Sequence, residues 1–218
     1  MAHTATKRKE GQKMIELKYY LKKHKVKSII DIGAHIGEFA KLMWDIDPDF
    51  NIFSIEANEM CKNDLLSVNK NSIISCVSDI ETIKTFYQRK TNYICTGCSI
   101  YRENTQHYSD DVIVTTDMPT QTLDMILKTY QENVVFDFLK MDTQGSELDI
   151  LKGATNTIDN IKLIQAETDV SGYNIGVPSQ GIVIAFLKER GFELIGVLDQ
   201  VVWDGKLLQE DLLFEKLI

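Results

Sequence analysis

The chain has 218 residues, a formal net charge of −8 and an apolar fraction of 44%, values typical of one folded domain with a full hydrophobic core. No apolar run reaches the ~18–20 residues that span a bilayer, and the N-terminal region lacks the apolar segment of a signal peptide. The sequence therefore favours a cytoplasmic protein with no membrane span.

The charge is unevenly distributed along the chain. Residues 1–27 carry nine Lys and Arg against two Glu, and the remainder carries fifteen against thirty Asp and Glu. An acidic body argues against a nucleic-acid groove, because neutralising phosphates dominates that kind of binding. We predict two parts: a basic amphipathic helix in residues 1–25, with a solvated lysine face, and a main domain in residues 26–218.

The four cysteines give no metal-binding pattern. Cys95 and Cys98 have the spacing of redox and zinc sites, but no second pair of cysteines or histidines accompanies them, and structural zinc takes four ligands. We predict two reduced thiols in a loop.

The first strand of the main domain, Val26–Ile30, is followed by a glycine turn. Gly33 and Gly37 let the backbone approach a ligand, and the helix that starts after them offers free N–H groups. Their spacing departs from the dinucleotide fingerprint, which needs G-x-G-x-x-G. Instead, the D-x-G-x-x-x-G pattern from Asp31 resembles motif I of Rossmann-like S-adenosylmethionine (SAM) methyltransferases.

The second and third strands end in polar residues. Asn51–Glu56 places Glu56 at a carboxyl end, where an acid can bind both hydroxyls of a ribose; the alternative is that Glu56 caps the next helix. The third strand, Ser72–Ser78, ends at Ser78 and Asp79, which either contact an adenine amine or form a plain turn.

An insertion then interrupts the strand–helix rhythm. Alternation in Thr82–Gln88 and Asn92–Thr96 predicts a β-hairpin, and the polar stretch Gly97–Asp111 is too long for a simple connection. Because long loops on α/β scaffolds often carry the substrate-binding groups, we expect this loop to contact the acceptor.

The second half of the chain returns to alternating elements. Val134–Asp142 and Ile161–Glu167 are predicted strands that end in carboxylates, and Gln180–Arg190 is a predicted helix. Phe192–Leu198 is the next strand, and a final hairpin turns at Asp204 and Gly205. The pattern predicts an α/β fold that finishes with antiparallel strands.

At Leu139–Gly153 the sequence becomes specific. It resembles the K-x-D-x-[EQ]-G-x-E-x-x-x-L-x-G segment of the FkbM family of SAM-dependent methyltransferases. Three further segments agree in order: Asp31–Gly37, Thr122–Asp124, and Ala166-Glu167 followed by Gly191-Phe192. The resemblance covers about residues 26–216.

The resemblance implies a Rossmann-like, seven-stranded, mostly parallel sheet with helices on both faces, an antiparallel last strand and a hairpin or loop insertion. It implies SAM as cofactor, S-adenosylhomocysteine as product, and O-methylation of a small-molecule hydroxyl, in the first place on a sugar or glycan. The residues expected to bind the cofactor are Asp31, Gly33, Ala34, His35, Gly37, Glu56, Ser78, Asp79, Asp142 and Gln144. His35 departs from the family, which often has Asn there.

For catalysis, the candidates that would accept a proton from the acceptor or orient it are Asp142, Glu167 and His107. Asp142 could equally hold the ammonium group of SAM. Asp142 and Glu167 could also share a divalent ion, but two carboxylates are too few ligands to predict a metal.

Other functions remain open. A dehydrogenase is disfavoured by the missing third glycine. A non-catalytic SAM-binding module that works through a partner on the basic helix, or a methyltransferase acting on protein or another non-sugar acceptor, is the main alternative. Nucleic-acid methylation is disfavoured by the acidic body and by the missing Asn/Asp-Pro-Pro-Tyr signature. The sequence leaves open whether the chain forms a homo-oligomer.

Overall fold

The computed structural model describes residues 10–91, 94–105 and 108–217. Six α-helices are described in these residues: α1 Glu10–Lys23, α2 Glu38–Trp44, α3 Lys62–Val68, α4 Leu123–Tyr130, α5 Glu147–Lys152 and α6 Gln180–Glu189. The described strands are β1 Ser28–Ile32, β2 Asn51–Glu56, β3 Ser72–Ile74, β4 Cys76–Val77, β5 Ile83–Arg89, β6 Ile113–Gln121, β7 Phe138–Met141, β8 Leu163–Asp169, β9 Phe192–Trp203 and β10 Lys206–Lys216.

The main sheet has seven strands in the order β3-β2-β1-β7-β8-β10-β9. Neighbouring strands from β3 to β8 are parallel, whereas β10 runs antiparallel to both β8 and β9. This confirms the predicted mostly parallel sheet with an antiparallel last strand. The order reverses at β1, and in open α/β sheets ligands bind beyond the carboxyl ends of strands at such a point.

Side chains of β1 alternate between the two faces of the sheet, as a strand requires. Ile30 and Ile32 belong to the apolar cluster that packs under α4, α5 and α6, and Ile29 belongs to the cluster under α1 and α2. Asp31 therefore faces the α1–α2 side, where Leu17 of α1 is also buried. The basic helix is thus packed on the sheet, and the proposed division of the chain at residue 25 stays a prediction.

The third strand of the sequence prediction is split between two sheets. β3 pairs with β2 in the main sheet, and β4 pairs with β6 in a second, three-stranded sheet of order β4-β6-β5. The chain changes sheets at Ser75, whose N–H still donates to the carbonyl of Glu56 at 2.8 Å. Alternation alone could not reveal this break, because both halves read as one apolar strand.

The predicted insertion is present, but its pairing was predicted wrongly. All seven residues of β5 pair antiparallel with the first seven of the nine residues of β6, from Ile83 opposite Pro119 to Arg89 opposite Ile113. Residues 94–96 form no strand, and Asn92 and Tyr93 of the predicted partner lie outside the described residues. The long strand β6 offers more backbone partners than the short segment nearest in sequence, so the distant pairing prevails.

In the part of the chain that the structure describes, no helix combines the length and the apolar character that crossing a bilayer requires.

Candidate active site

The turn after β1 is held by backbone contacts that only glycine permits at its first position. The N–H groups of Gly33 and Ala34 both donate to the carbonyl of Ile55, at 2.9 and 3.1 Å. Gly33 has a φ of +75°, and a Cβ added there would lie 1.9 Å from the carbonyl oxygen of Asp142. The β1 turn and the end of β7 are therefore packed against each other without any side chain between them.

His35 adopts a φ of +50°, a conformation that non-glycine residues seldom take. Its N–H donates to Glu56 Oε2 at 2.8 Å, and its ring Nδ1 lies 3.1 Å from Glu38 Oε1. Gly37, with a φ of +89°, immediately precedes α2. Backbone strain of this kind concentrates at functional sites. Here the strained turn lies between the Glu56 carboxylate and the N-terminus of α2, and Glu56 and Glu38 both line the same cavity.

Glu56 lies at the end of β2 with both carboxylate oxygens bound by backbone. Besides the bond from His35, Oε1 accepts from the N–H of Asn58 at 2.7 Å. Burial raises the pKa of Glu56, and these backbone hydrogen bonds act in the opposite direction. Each carboxylate oxygen keeps a further lone pair, so Glu56 can still accept hydrogen bonds from the hydroxyls of a ribose.

Beneath the turn lies a buried charged group that the sequence prediction overlooked. Lys140 Nζ lies 3.2 Å from Asp31 Oδ1 and 3.6 Å from Asp142 Oδ2, and it donates to the carbonyl of Gly33 at 3.3 Å. Burial alone would lower the pKa of Lys140, but Asp31 and Asp142 raise it, so the ammonium stays charged. The signal was available, since Lys140 is the Lys of the K-x-D motif.

Asp31 itself is fully buried and lies behind the turn rather than along the cavity wall. Register explains its contact with Lys140, because Asp31 of β1 is the direct neighbour of Lys140 on β7. The structure thus shows Asp31 in contact with Lys140, and the cofactor-binding role expected of Asp31 stays a prediction.

The ends of β7 and β8 bring two carboxyl groups together through one amide. Gln144, with a φ of +57°, points its Nε2 between Asp142 Oδ1 at 3.2 Å and Glu167 Oε2 at 2.5 Å. Gln209 of β10 donates to the same Glu167 oxygen at 2.9 Å. Burial, followed by the charges of Asp142 and Asp211, raises the pKa of Glu167 well above its usual value. Gln209 lies too far along the chain for any local motif to identify it.

These elements enclose a cavity of about 550 Å³, within the range of small-molecule sites. The strand order β3-β2-β1-β7 arranges its lining along the edge of the sheet. Ser75, Cys76 and Val77 follow β3 at one end, with Phe86 of the second sheet, and Glu56, Gly33, Ala34 and His35 follow β2 and β1 in the middle. At the other end, Lys140 lies on β7 and Asp142 and Gln144 follow it, whereas Glu167 of β8 contacts Gln144 and does not line the cavity. The cavity thus passes from a partly apolar end to a carboxylate end along the predicted glycine turn.

Ser78 and Asp79, predicted to contact adenine, do not line this cavity. Lys84 Nζ donates to Ser78 Oγ at 2.8 Å, to Asp79 Oδ1 at 3.0 Å and to Asp149 Oδ2 at 3.1 Å. The two residues are therefore engaged in joining the second sheet to α5. This corrects the placement on which their adenine role depended: the chain turns into the second sheet before reaching them, and Ser75–Val77 occupy the cavity wall instead.

The loop after β5 covers part of the site. Ser99 Oγ donates to the carbonyl of Thr143 at 2.9 Å, and the backbones of Ser99 and Tyr87 bond to each other at 2.8 and 3.2 Å. His107 lies outside the described residues, so its catalytic role stays a prediction. Among the described residues, no group of three or more His, Cys, Asp or Glu is arranged to hold a metal ion.

The residues at this site fit SAM, with carboxylate oxygens of Glu56 for its ribose and an apolar end for its adenine. A seven-stranded sheet of this order, with a cavity beside a glycine turn, defines a Rossmann-like α/β protein of the methyltransferase type. The family model of the methyltransferase FkbM domain matches residues 31–194. The chain therefore belongs to the FkbM family of SAM-dependent methyltransferases.

Solved structures agree at the level of fold. The methyltransferase FkbM from Methylobacillus flagellatus KT has a TM-score of 0.51 at 16% identity over 87% of this chain and 43% of its own. A putative O-methyltransferase from Klebsiella pneumoniae has a TM-score of 0.50 at 13% identity, over 95% of this chain and 80% of its own. The chain thus spans less than half the length of the Methylobacillus protein. No curated protein matches the sequence significantly.

Proposed function

We propose that this chain transfers the methyl group of SAM to a hydroxyl group of a small molecule, in the first place a sugar or glycan. The observation that carries the proposal is the position of Asp142. Its carboxylate opens on the cavity beside the strained Gln144, next to the turn that would hold the cofactor. A carboxylate can act there as the base that hydroxyl methylation uses, because the acceptor oxygen must lose a proton.

The cofactor would be held mainly by the backbone and by Glu56. Gly33, Ala34 and His35 lie along the middle of the cavity with Glu56, and Glu56 would accept hydrogen bonds from the ribose hydroxyls. When bound, SAM supplies a methyl group already activated by its sulfonium. The remaining demand on the protein is alignment of the acceptor oxygen with that methyl group.

Asp142 is the proposed proton acceptor, and Glu167 is a positioning residue that acts through Gln144. The amide of Gln144 bridges the two carboxyl groups, so Glu167 would fix the orientation of the amide that contacts Asp142. Burial raises the pKa of Glu167, so this carboxyl group takes on its negative charge only at a higher pH than an ordinary glutamate. The charge that faces Asp142 across Gln144 therefore depends on the ionisation of Glu167.

The charge around the carboxylate end favours a neutral acceptor. Asp142, Glu38 and Asp211 line the cavity, and Glu167 lies directly behind it. The cation at this end, Lys140, is already close to Asp31 and Asp142. An acceptor carrying phosphate or carboxylate would be repelled, whereas a neutral sugar hydroxyl would find both acceptors and amide donors.

Two alternatives remain for testing. A SAM-binding module without catalysis would use the exposed lysines of α1 to reach a partner, and a methyltransferase for a protein or another non-sugar acceptor would use the same cavity. The non-catalytic module does not explain why Gln144 adopts a strained conformation that bridges Asp142 and Glu167. The acceptor panel described next distinguishes the second alternative. The cytoplasmic location stays a prediction from the sequence. The oligomeric state stays an open question.

Titration calorimetry with SAM and with S-adenosylhomocysteine tests the cofactor first. We expect saturable binding of both, followed by methyl transfer from labelled SAM to members of a panel of neutral sugars and glycans. Phosphorylated versions of the same sugars serve as matched controls and should react poorly. Cofactor binding without transfer to any hydroxyl acceptor, while a protein or amine acceptor reacts, would overturn the hydroxyl proposal. Absence of cofactor binding would overturn it entirely.

A further inference from the structure

Cys95 and Cys98 form a pair of thiols that the methyl-transfer proposal does not use. Both are free, and their Sγ atoms lie 3.3 Å apart. A disulfide requires an S–S distance of about 2.05 Å, so an approach of little more than an ångström would join them. Gly97 between them has a φ of +83°, and this turn brings the two side chains to the same side of the loop.

The pair lies at the wall of the cofactor cavity. Both cysteines line the cavity together with Thr96 and Gly97. Asn58 Nδ2 donates to Cys98 Sγ at 3.7 Å, and the backbone N–H of Asn58 donates to Glu56 Oε1 at 2.7 Å. A change at Cys98 therefore reaches the proposed ribose-binding carboxylate through a single residue.

A metal site does not account for the pair. Structural zinc takes four ligands, and no group of three or more suitable side chains occurs in residues 10–91, 94–105 and 108–217. The geometry of two adjacent, partly exposed thiols is that of a dithiol able to exchange with a disulfide.

We propose that Cys95 and Cys98 are a redox modification site, at which a low-molecular-weight disulfide such as oxidised glutathione converts the two thiols into an intramolecular disulfide. The thiolate of Cys95 attacks one sulfur of the small disulfide, forms a mixed disulfide and releases one small thiol. Cys98 then loses its proton, attacks Cys95 Sγ and releases the second small thiol. The protein gives up two electrons and two protons, and the small disulfide is reduced to two thiols.

The order of attack follows from the surroundings of the two sulfurs. Burial, with the neighbouring Cys95, raises the pKa of Cys98, so Cys98 is the poorer first nucleophile. It is instead well placed as the resolving thiol, since its Sγ already lies beside Cys95 Sγ.

Closing the disulfide draws Cys98 Sγ toward Cys95 and away from Asn58. The hydrogen bond from Asn58 Nδ2 is then lost or lengthened, and the wall next to Glu56 shifts. We expect SAM to bind roughly three- to tenfold more weakly to the oxidised protein, the effect of about one hydrogen bond. This consequence rests on the proposed function, whereas disulfide formation itself does not.

Cys61 and Cys76 provide an internal control within the same chain. Both are buried, and burial raises the pKa of their thiols to about 12 and about 11, respectively. A thiol that stays protonated is a poor nucleophile. Cys95 and Cys98, in contrast, are partly exposed and have their sulfur atoms next to each other, so oxidation should distinguish this pair from the buried cysteines.

The test is incubation of the full-length folded protein with oxidised glutathione, followed by intact mass measurement and peptide mapping. We expect a mass lower by two hydrogen atoms and a Cys95–Cys98 link that dithiothreitol reverses. Cys98→Ser should stop at the mixed glutathione adduct on Cys95, and Cys61→Ala, a substitution outside the cavity lining, should form the same Cys95–Cys98 link as the wild type. A wild-type protein that keeps every thiol free, or links other cysteines, would overturn the proposal.

Calorimetry of the reduced and oxidised forms separates this inference from the methyltransferase proposal. Weaker SAM binding after oxidation, restored by dithiothreitol and absent in Cys95→Ser, supports the full proposal. A disulfide that forms without any effect on SAM affinity retains the modification site and overturns its influence on the cavity. A disulfide in a protein that binds no SAM in either form keeps the site and overturns the proposed function.

Discussion

Two regions of the cavity, the glycine turn in its middle and the carboxylate end, are built in different ways. Around the glycine turn, backbone groups make the contacts: Gly33 and Ala34 bind the carbonyl of Ile55, and His35 binds Glu56 through its N–H. At the carboxylate end, side chains bind side chains, with Gln144 and Gln209 meeting at Glu167. The first set of contacts joins the turn after β1 to the neighbouring strand β2. The second set joins the segment after β7 to strands β8 and β10.

This difference indicates which region of the cavity can change during evolution. A backbone contact tolerates most side-chain substitutions but no change of conformation, so the turn is suited to a cofactor that stays the same. A side-chain network can be altered one residue at a time, so the carboxylate end is suited to acceptors that differ among relatives. Substitutions in the two regions should therefore affect different measured quantities.

The largest effect is expected at the carboxylate end. Asp142→Asn removes the proposed proton acceptor, so we expect turnover to fall by about 100-fold or more with little change in SAM affinity. Methyl transfer and calorimetry on the same preparation check this, and Asp45→Asn, an exposed site at the end of α2, is the matched control. Equal losses in turnover and SAM affinity would assign Asp142 a role in cofactor binding instead.

The next effect concerns Glu56, beside the glycine turn. Glu56→Ala removes two hydrogen-bond acceptors, and we expect SAM binding to weaken by roughly 1–3 kcal/mol. The exposed neighbour Glu59, which pairs with Lys62, gives the control variant Glu59→Ala. Unchanged SAM affinity in calorimetry would refute the ribose role of Glu56. Its role would then be limited to its hydrogen bonds with the backbone N–H groups of His35 and Asn58.

Glu167→Gln separates positioning from structure by its effect on the pH profile. In the wild type, burial raises the pKa of Glu167, so the negative charge of Glu167 beside the Gln144 amide develops only at higher pH, whereas the glutamine variant has no proton to lose there. We expect the acidic limb of kcat/KM to move to lower pH and kcat to fall about tenfold, since a weaker base transfers protons less well. Glu210→Gln is the control, because Glu210 also binds two glutamine amides. An unmoved acidic limb would show that Glu167 is purely structural.

Sequence patterns predicted the parallel core and the glycine turn because both depend on local signals. Gly33, Gly37 and the strand-end position of Glu56 were recognisable from spacing alone, and the final hairpin at Asp204-Gly205 was predicted from its turn residues. The family resemblance supplied the seven-stranded, mostly parallel sheet with an antiparallel last strand, but not the order of its strands. Lys140 was within the matched motif, yet its contact with Asp31 depends on the register of two strands far apart in the chain.

What the sequence could not reveal depends on long-range pairing. The segment after Arg89 had the alternation of a strand, but β5 finds its partner in β6, beyond the long loop. The break at Ser75 likewise depends on which sheet each half can join. Ser78 and Asp79 were assigned to the cavity because the third strand was assumed to continue straight through that break.

The smallest effect is a pH dependence of stability. Burial raises the pKa of Glu147 to about 7 from its usual value of 4.5. The folded protein therefore holds this proton more tightly than the unfolded chain, and the stabilisation is complete below pH ~4.5 and lost as the pH rises through about 7. Glu147→Gln lacks this loss, so from about pH 5 to about pH 8 it should gain about 1–2 kcal/mol relative to the wild type in urea unfolding.

Glu132→Gln, at an exposed position beyond α4, provides the control and should follow the wild type at both pH values. If the difference between Glu147→Gln and the wild type stays constant with pH, Glu147 carries its charge in the folded protein throughout, against this prediction.

Because the chain changes sheets at Ser75, the second sheet is a segment that could be exchanged between relatives. The chain leaves the main sheet after β3. It returns at Thr122, the N-cap of α4, whose side chain accepts a hydrogen bond from the N–H of Met125. Between these points, Lys84 and Tyr101 both bind Asp149 of α5. A relative could lengthen, shorten or replace residues 79–120 while keeping the two attachment points and Asp149. It would then present a new cover to its acceptor and a new wall on that side of the cavity, while Gly33, Ala34, His35 and Glu56 lie outside the replaced segment.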